Sequence, residues 1–309
     1  MTATLDAEPA APSLPAAGPQ PAPVTRPALE RTDPVRLAVL SVVLLVALGL
    51  WFLLYATVLS GLVEHRTQRT LFASLRQTLA AATTPVGGAI APGTPVALLD
   101  APRGGVHHQV VVEGTTADEL AKGPGHLAYT PLPGQAGTSV LMGRSFTDGA
   151  PFGTVTGLRA GDAITVTTGE GQFSYVVSGI RRPGQPLPEA LPANGSRLVL
   201  VTSEATGWRS GWAPDRVVYV DALLKGKTQL APGGRPTAVT AAALPMHGNP
   251  ASLVSLVLWL QAVLVAALAL IWSAARWGRW QTWLVGLPIM LALLWQSSAA
   301  ALALLPNLI

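Results

Sequence analysis

Three long apolar runs bracket a central stretch of short alternating ones, and that pattern divides the chain. Residues 37–60, from Leu37 through Trp51 to Ser60, carry no charge. A helix crossing a bilayer needs about 20 apolar residues, so this run predicts a first spanning helix. A second uncharged run covers 252–274 and a third covers 280–305. They are joined by the basic turn Ala275-Arg276-Trp277-Gly278-Arg279, and Trp277, Trp280 and Trp283 suit the aromatic belt at a membrane interface. Beyond the first run, Leu71, Leu75 and Leu79 recur every four positions over 62–81, with Phe72 beside them and Arg66, Arg69 and Arg76 on other faces. That is the period of an amphipathic helix.

From Gly93 to Leu223 the period changes. Short β-branched runs are broken by Gly and Pro: Val96–Leu99, Gln109–Val112, Ser139–Met142, Ala163–Thr167, Phe173–Val177, Leu198–Val201 and Val217–Val220. Each suits a strand. Thr168-Gly-Glu-Gly171 between two of them predicts a hairpin turn. Thr116 followed by Glu119 predicts a capping box opening one short helix. Seven or more strands at this spacing predict a closed β-barrel or a sandwich. Residues 224–250, rich in Gly and Pro, read as a tether back to the membrane. Residues 1–36 lack periodicity and large apolar clusters, and Pro9, Pro12, Pro15, Pro19, Pro21 and Pro23 mark them as a disordered tail. The domain reading is therefore 1–36 tail, 37–60 first span, 61–92 juxtamembrane helix and linker, 93–223 β-domain, 224–250 linker, 251–274 second span and 280–305 third span.

Charge orients this arrangement. Arg26, Arg31 and Arg36 precede the first span, and Arg276 and Arg279 lie between the second and third. Placing all five in the cytoplasm puts the N-terminus inside and residues 61–250 outside, as the positive-inside rule expects. Half of the residues are hydrophobic and 12% are charged, which excludes an ordinary soluble domain. The net charge of +4 comes from scattered Arg and Lys rather than a basic stripe, so nucleic acid is not an expected partner. The sequence has no cysteine, which removes disulfides, thiolate metal sites and any thiol nucleophile. His107-His108 lacks an evident third ligand, so no metal site and no cofactor are expected.

Several motifs in the β-domain resemble the sortase family, class E type. Gly123-Pro-Gly-His126, then Pro131-Leu-Pro-Gly134 and Gly137, resemble that family's GPGH…LPG…G stretch. Gly149-Ala-Pro-Phe-Gly153, Leu158 and Gly161-Asp-Ala-Ile-Thr-Val-Thr167 are similar to its PF…L…GD.I.V.T run, and Val111–Thr115 to an early strand and turn. The resemblance covers about 93–223 and implies an all-β, sortase-type eight-stranded barrel outside the membrane, beside three transmembrane α-helices. It also implies a transpeptidase that attacks a sorting-signal peptide with a Cys, a His and an Arg. At the matching positions this chain has Arg144 for the His and Ser203 for the Cys. Arg216, opening the last strand, matches the Arg, with Arg209 a rival through the loop 204–215.

Those replacements change the chemistry. A serine hydroxyl needs an adjacent base to become a nucleophile, and a guanidinium stays protonated. Arg144 is therefore neither the base nor a ready proton donor. Glu204 adjoins Ser203, yet consecutive strand residues face opposite ways. His126 lies in the GPGH stretch, and Asp148 is a turn residue within reach of Arg144. The expectation is a catalytically inactive membrane protein of the cell surface. Arg144, Arg216, Glu204 and His126 are its binding candidates. Its ligand is a sorting-signal peptide or an anionic envelope component, and a membrane protein is a further candidate partner. Two guanidiniums in one cleft would favour a carboxylate or phosphate. The alternative is an active sortase-related transpeptidase or peptidase using Ser203. The three spans carry no Asp, Glu, Lys or His, which argues against an ion pathway.

Overall fold

The β-branched runs form eight strands: β1 (Pro95–Ala101), β2 (Val106–Glu113), β3 (Gly125–His126), β4 (Gly137–Met142), β5 (Ala163–Thr168), β6 (Gly171–Arg181), β7 (Ser196–Glu204) and β8 (Arg216–Lys225). A computed structural model describes residues 34–205 and 216–309. The strands close into a barrel in the order β1-β2-β3-β4-β7-β8-β6-β5. Alternation along the strands fills the interior with Val96, Leu99, Val111, Leu141, Ile164, Val166, Tyr175, Leu198, Leu200 and Val220, and Phe152 joins them from the connection between β4 and β5. Closure gives every strand a neighbour on both sides, although β3 covers only Val112 and Glu113 of β2. The strand missed by sequence reading is β3. At two residues it is too short to show a period, and it exists through its partners, parallel to β2 and antiparallel to β4.

Local chemistry fixes the connections. Thr168 pairs with Gly171 across the predicted two-residue hairpin. Thr116 and Glu119 form the predicted capping box at the start of α3 (Ala117–Leu120). The Leu-Pro-Gly turn closes over the barrel end, where Gly134 has φ +97° and a Cβ there would lie 2.2 Å from the Phe173 ring. Only glycine fits that combination of backbone and neighbour. The Gly134 N–H donates to the Tyr175 hydroxyl at 2.6 Å, which ties the turn to the core.

The helices follow the apolar runs. α1 (Pro34–Leu54) passes through a π turn (Tyr55–Leu59) directly into α2 (Ser60–Ala80), so the predicted juxtamembrane helix is continuous with the first span. α4 (Ser252–Trp277) and α5 (Arg279–Leu302) complete three helices long and apolar enough to cross a membrane. Trp277, Trp280 and Trp283 are exposed at the α4–α5 turn.

From Leu48 onward the chain forms one compact unit. Within it, α2 is fastened to the barrel by Gln68, whose amide donates to the carbonyls of Val110 (3.0 Å) and Lys122 (2.7 Å) and accepts the Val110 N–H (2.8 Å). A buried amide satisfied on both ends specifies one docking register.

The segment after β8 is not a loose tether. Gln229 exchanges backbone bonds with Gly134 and Ala136. Arg235 Nη1 lies 3.5 Å from Glu113, and the Thr115 hydroxyl donates to the Ala243 carbonyl at 2.7 Å. Its Gly and Pro content reflects an irregular path along the barrel wall. The third apolar run also ends sooner than 305. The helix stops at Leu302, and residues 303–309 turn onto the barrel.

Candidate functional site

β4 and β7 lie side by side and parallel, with Met142 opposite Val201, so their ends deliver residues 144 and 203 to one rim of the barrel. Along β7, Leu198, Leu200 and Thr202 point inward. Val199, Val201 and Ser203 share the other face, where Val199 and Val201 join a second apolar cluster with Leu120, Leu127, Met142 and Leu308. Ser203 stands at the end of that outer face, 3% exposed.

The chain bends immediately after β4. Gly143 has no room for a side chain, because a Cβ there would lie 2.5 Å from the Phe152 ring. Beyond this bend Ser145, not Arg144, meets Ser203, with the two hydroxyl oxygens 2.7 Å apart. Both hydroxyls also turn to the Leu308 carbonyl, Ser203 at 2.6 Å and Ser145 at 3.0 Å, and the Ser145 N–H donates to it at 3.0 Å. The Ser145 N–H and the two hydroxyls therefore surround one carbonyl oxygen, with two hydroxyl protons shared among three short contacts. Among the described residues, Ser203 is partnered by another hydroxyl and a carbonyl, neither of which is a base.

Arg144 is committed elsewhere. It is 1% exposed, and its Nη1 lies 2.6 Å from Asp148 Oδ2 and 3.0 Å from the Thr147 hydroxyl, while Nη2 reaches the Ala117 carbonyl at 3.4 Å. Asp148 occupies a left-handed turn position with φ +47°, and its N–H donates to the Ser60 hydroxyl of α2 at 3.0 Å. Burial pushes the Asp148 carboxyl up from its usual range, with the Arg144 charge pulling it back. Burial likewise pushes the Arg144 guanidinium down, opposed by Asp148 and then by Asp118.

The remaining sequence candidates are dispersed. Glu204 is held by Arg182 through Nε (2.5 Å) and Nη2 (2.9 Å), a two-pronged pairing that lowers its pKa. Arg216 opens β8 opposite Glu204, exposed, and adds its charge to that carboxylate. The two arginines thus serve different carboxylates. His126 is completely buried, with Nδ1 2.8 Å from Glu113 and Nε2 within 3.0 Å of the Pro131 carbonyl and 3.1 Å of the Thr130 hydroxyl. It pins β3 to β2 and to the Leu-Pro-Gly turn, and both its nitrogens are used there. Arg209 lies outside the described residues. No group of three or more His, Cys, Asp or Glu that could hold a metal ion occurs among the described residues.

Sequence reasoning missed Ser145, Thr147 and the 303–309 segment. Pro306-Asn307 was the available signal, since proline cannot continue a helix. Nothing in the sequence pattern said where the chain goes next.

The family model of the Sortase domain matches residues 99–223. Sortase E from Streptomyces avermitilis is 30% identical, over 44% of this chain and 91% of its own, with a TM-score of 0.37. A Clostridium perfringens sortase D5 transpeptidase is 22% identical over 52% and 99%, TM-score 0.42. The SrtF sortase from Corynebacterium diphtheriae is 24% identical over 50% and 93%, TM-score 0.38. No curated protein sequence matches the chain.

Proposed function

Because this chain belongs to the sortase family through a domain at residues 99–223, we propose that it keeps the family's cleft and has given up its transfer chemistry. In this reading it is a membrane-held module that binds peptide segments during surface or envelope assembly. The positive-inside pattern of Arg26, Arg31, Arg36, Arg276 and Arg279 supports placing the barrel on the outer side.

One observation carries the reading. The Ser203 hydroxyl is spent as a hydrogen-bond donor to the Leu308 carbonyl, and its other neighbour is the Ser145 hydroxyl. A serine becomes a nucleophile only when a base removes its proton. The residue at the family's His position is a guanidinium paired with Asp148, which can neither accept that proton nor return one to a leaving amine. The same pairing argues for peptide over anionic ligand, since the buried cation is already neutralised. A carbonyl oxygen flanked by an N–H and two hydroxyls supports recognition of a peptide backbone.

Intact-mass spectrometry of the purified full chain, after incubation with a pool of sorting-signal peptides, tests this. The expected result is no acyl adduct and no cleaved peptide. An adduct that disappears in Ser203→Ala would establish the alternative, a serine-dependent transpeptidase or peptidase, and overturn the proposal.

A further inference from the structure

The cleft already holds a peptide, and that peptide is part of the same chain. After α5 ends at Leu302, residues 303–309 fold back onto the outer face of β7. Leu308 is 0% exposed, packed among Leu120, Leu127, Met142, Val199 and Val201. Its carbonyl accepts the Ser145 N–H and lies within hydrogen-bond distance of the Ser203 and Ser145 hydroxyls. One residue further on, the Thr147 hydroxyl donates to the Ile309 carbonyl at 2.5 Å. One residue back, the Asn307 amide donates to the carbonyls of Ala242 (2.6 Å) and Leu244 (3.0 Å), and its backbone N–H to that of His247 (2.9 Å). Side-chain burial, carbonyl capture and flanking anchors together make a built peptide site.

We propose that residues 303–309 are an intramolecular latch, a resident ligand that closes the cleft to other peptides until the segment is withdrawn. The inference rests on the peptide-binding reading above. The pocket walls fix the chemistry of the competitor. They are apolar, and the donors at their end are neutral hydroxyls and an amide. The displacing segment is therefore uncharged, with a branched aliphatic side chain at the Leu308 position and a free backbone carbonyl beside it. Tethering supports closure, because a ligand on a short connection has an effective concentration on the order of millimolar. A free peptide at micromolar concentration loses that competition even when it makes the same contacts. The latch follows α5 directly, and α5 itself is joined to the first helix by the edge-to-face pair Tyr55–Trp295 and by Trp51 Nε1 donating to Ser298 Oγ at 3.2 Å. Movement of the helices is thus the natural way to draw it out.

The test uses the full chain in detergent or nanodiscs and a fluorescent synthetic peptide, Ala-Leu-Leu-Pro-Asn-Leu-Ile, copied from residues 303–309. Fluorescence anisotropy compares wild type with Leu308→Asp, which places a charge in an apolar pocket and releases the latch. The expected result is an apparent affinity at least about tenfold higher in the variant. Equal binding by both proteins overturns the latch and leaves the peptide-binding reading standing. Binding by neither, with circular dichroism and thermal transition unchanged, overturns both. Leu308→Ala carries the same comparison if the aspartate variant does not fold. Hydrogen exchange at the Ser145 N–H gives a second readout, since that amide is bonded to the Leu308 carbonyl in the closed state. Protection that persists in the released variant also overturns the latch.

Discussion

The two faces of β7 obey one alternation and solve different problems. Leu198, Leu200 and Thr202 face a barrel interior completed by the neighbouring strands, where Leu141, Val220 and Ala222 close around them. Val199, Val201 and Ser203 face outward, and what covers them comes from far along the chain. Leu308 is fully buried there, and Val239 and Met246 pack against the same cluster. The inner face is sealed by the act of closing the barrel. The outer face is sealed by a segment that can leave without opening it. The fold's stability and the cleft's occupancy are therefore separable, although both are read from adjacent residues of one strand.

That separation fails most visibly at Arg144, where a residue at the cleft has become structural. Asp148→Asn keeps the shape and tolerates the left-handed backbone, while removing the nearer counter-charge of the buried guanidinium and leaving only the weaker Asp118. Breaking a buried pair from one side costs about 3–5 kcal/mol. Urea denaturation should show a loss of that size, although residue 148 lies outside the barrel core. A loss below about 1 kcal/mol, the scale of an exposed pair, would mean that Arg144 finds water and the cleft is open.

The next effect separates the faces directly. Leu200→Ala empties part of the interior and should cost about 2–5 kcal/mol, whereas Val201→Ala removes two methyl groups from the outer face and should cost about 1–2 kcal/mol. A double-mutant cycle with Leu308→Ala sharpens the contrast. Val201 and Leu308 share a cluster and should couple by about 0.5 kcal/mol or more. Leu200 lies on the opposite face and should add to Leu308→Ala without coupling. Coupling at Leu200 instead would show that the latch supports the barrel itself. Smaller again is Ser203→Ala, which removes the neutral hydroxyl that meets the Leu308 carbonyl and the Ser145 hydroxyl and should cost about 1 kcal/mol.

The same contrast explains what the sequence revealed. Seven strands, the Thr168–Gly171 hairpin and the Thr116–Glu119 cap were legible because each depends on neighbours within a few positions. The family motifs were legible too, but their residues turned out to hold the fold. His126 clamps Glu113, and Gly134 lets the Leu-Pro-Gly turn reach Phe173. The cleft's occupant was not legible. Ser203 and Leu308 are 105 positions apart, and no period or composition links them. Likewise Arg144 and Asp148 could be suspected as a pair from their spacing, whereas Ser145 as the partner of Ser203 required the path of the chain after β4, where Gly143 lies against Phe152.

The smallest effect lies at Glu204, the last residue of β7, where the strand leaves the barrel. Its pKa is lowered chiefly by hydrogen bonding to Arg182, with burial opposing and the charges of Arg182 and Arg216 adding. A carboxylate whose folded value lies below its ordinary value of 4.5 stabilises the protein above that pH. The contribution disappears as pH falls through the folded value. Arg182 is 42% exposed, so solvent screening limits the pair to a few tenths of a kcal/mol. Denaturation of wild type and Glu204→Gln should therefore differ slightly at pH 7, and the difference should shrink as the pH is lowered through the folded value. A difference that persists unchanged throughout the acid range would make Glu204 a packing residue rather than an ionic one. The rim of β7 would then behave like its interior, and the division between a fixed inner face and a releasable outer one would begin one residue earlier, at Ser203.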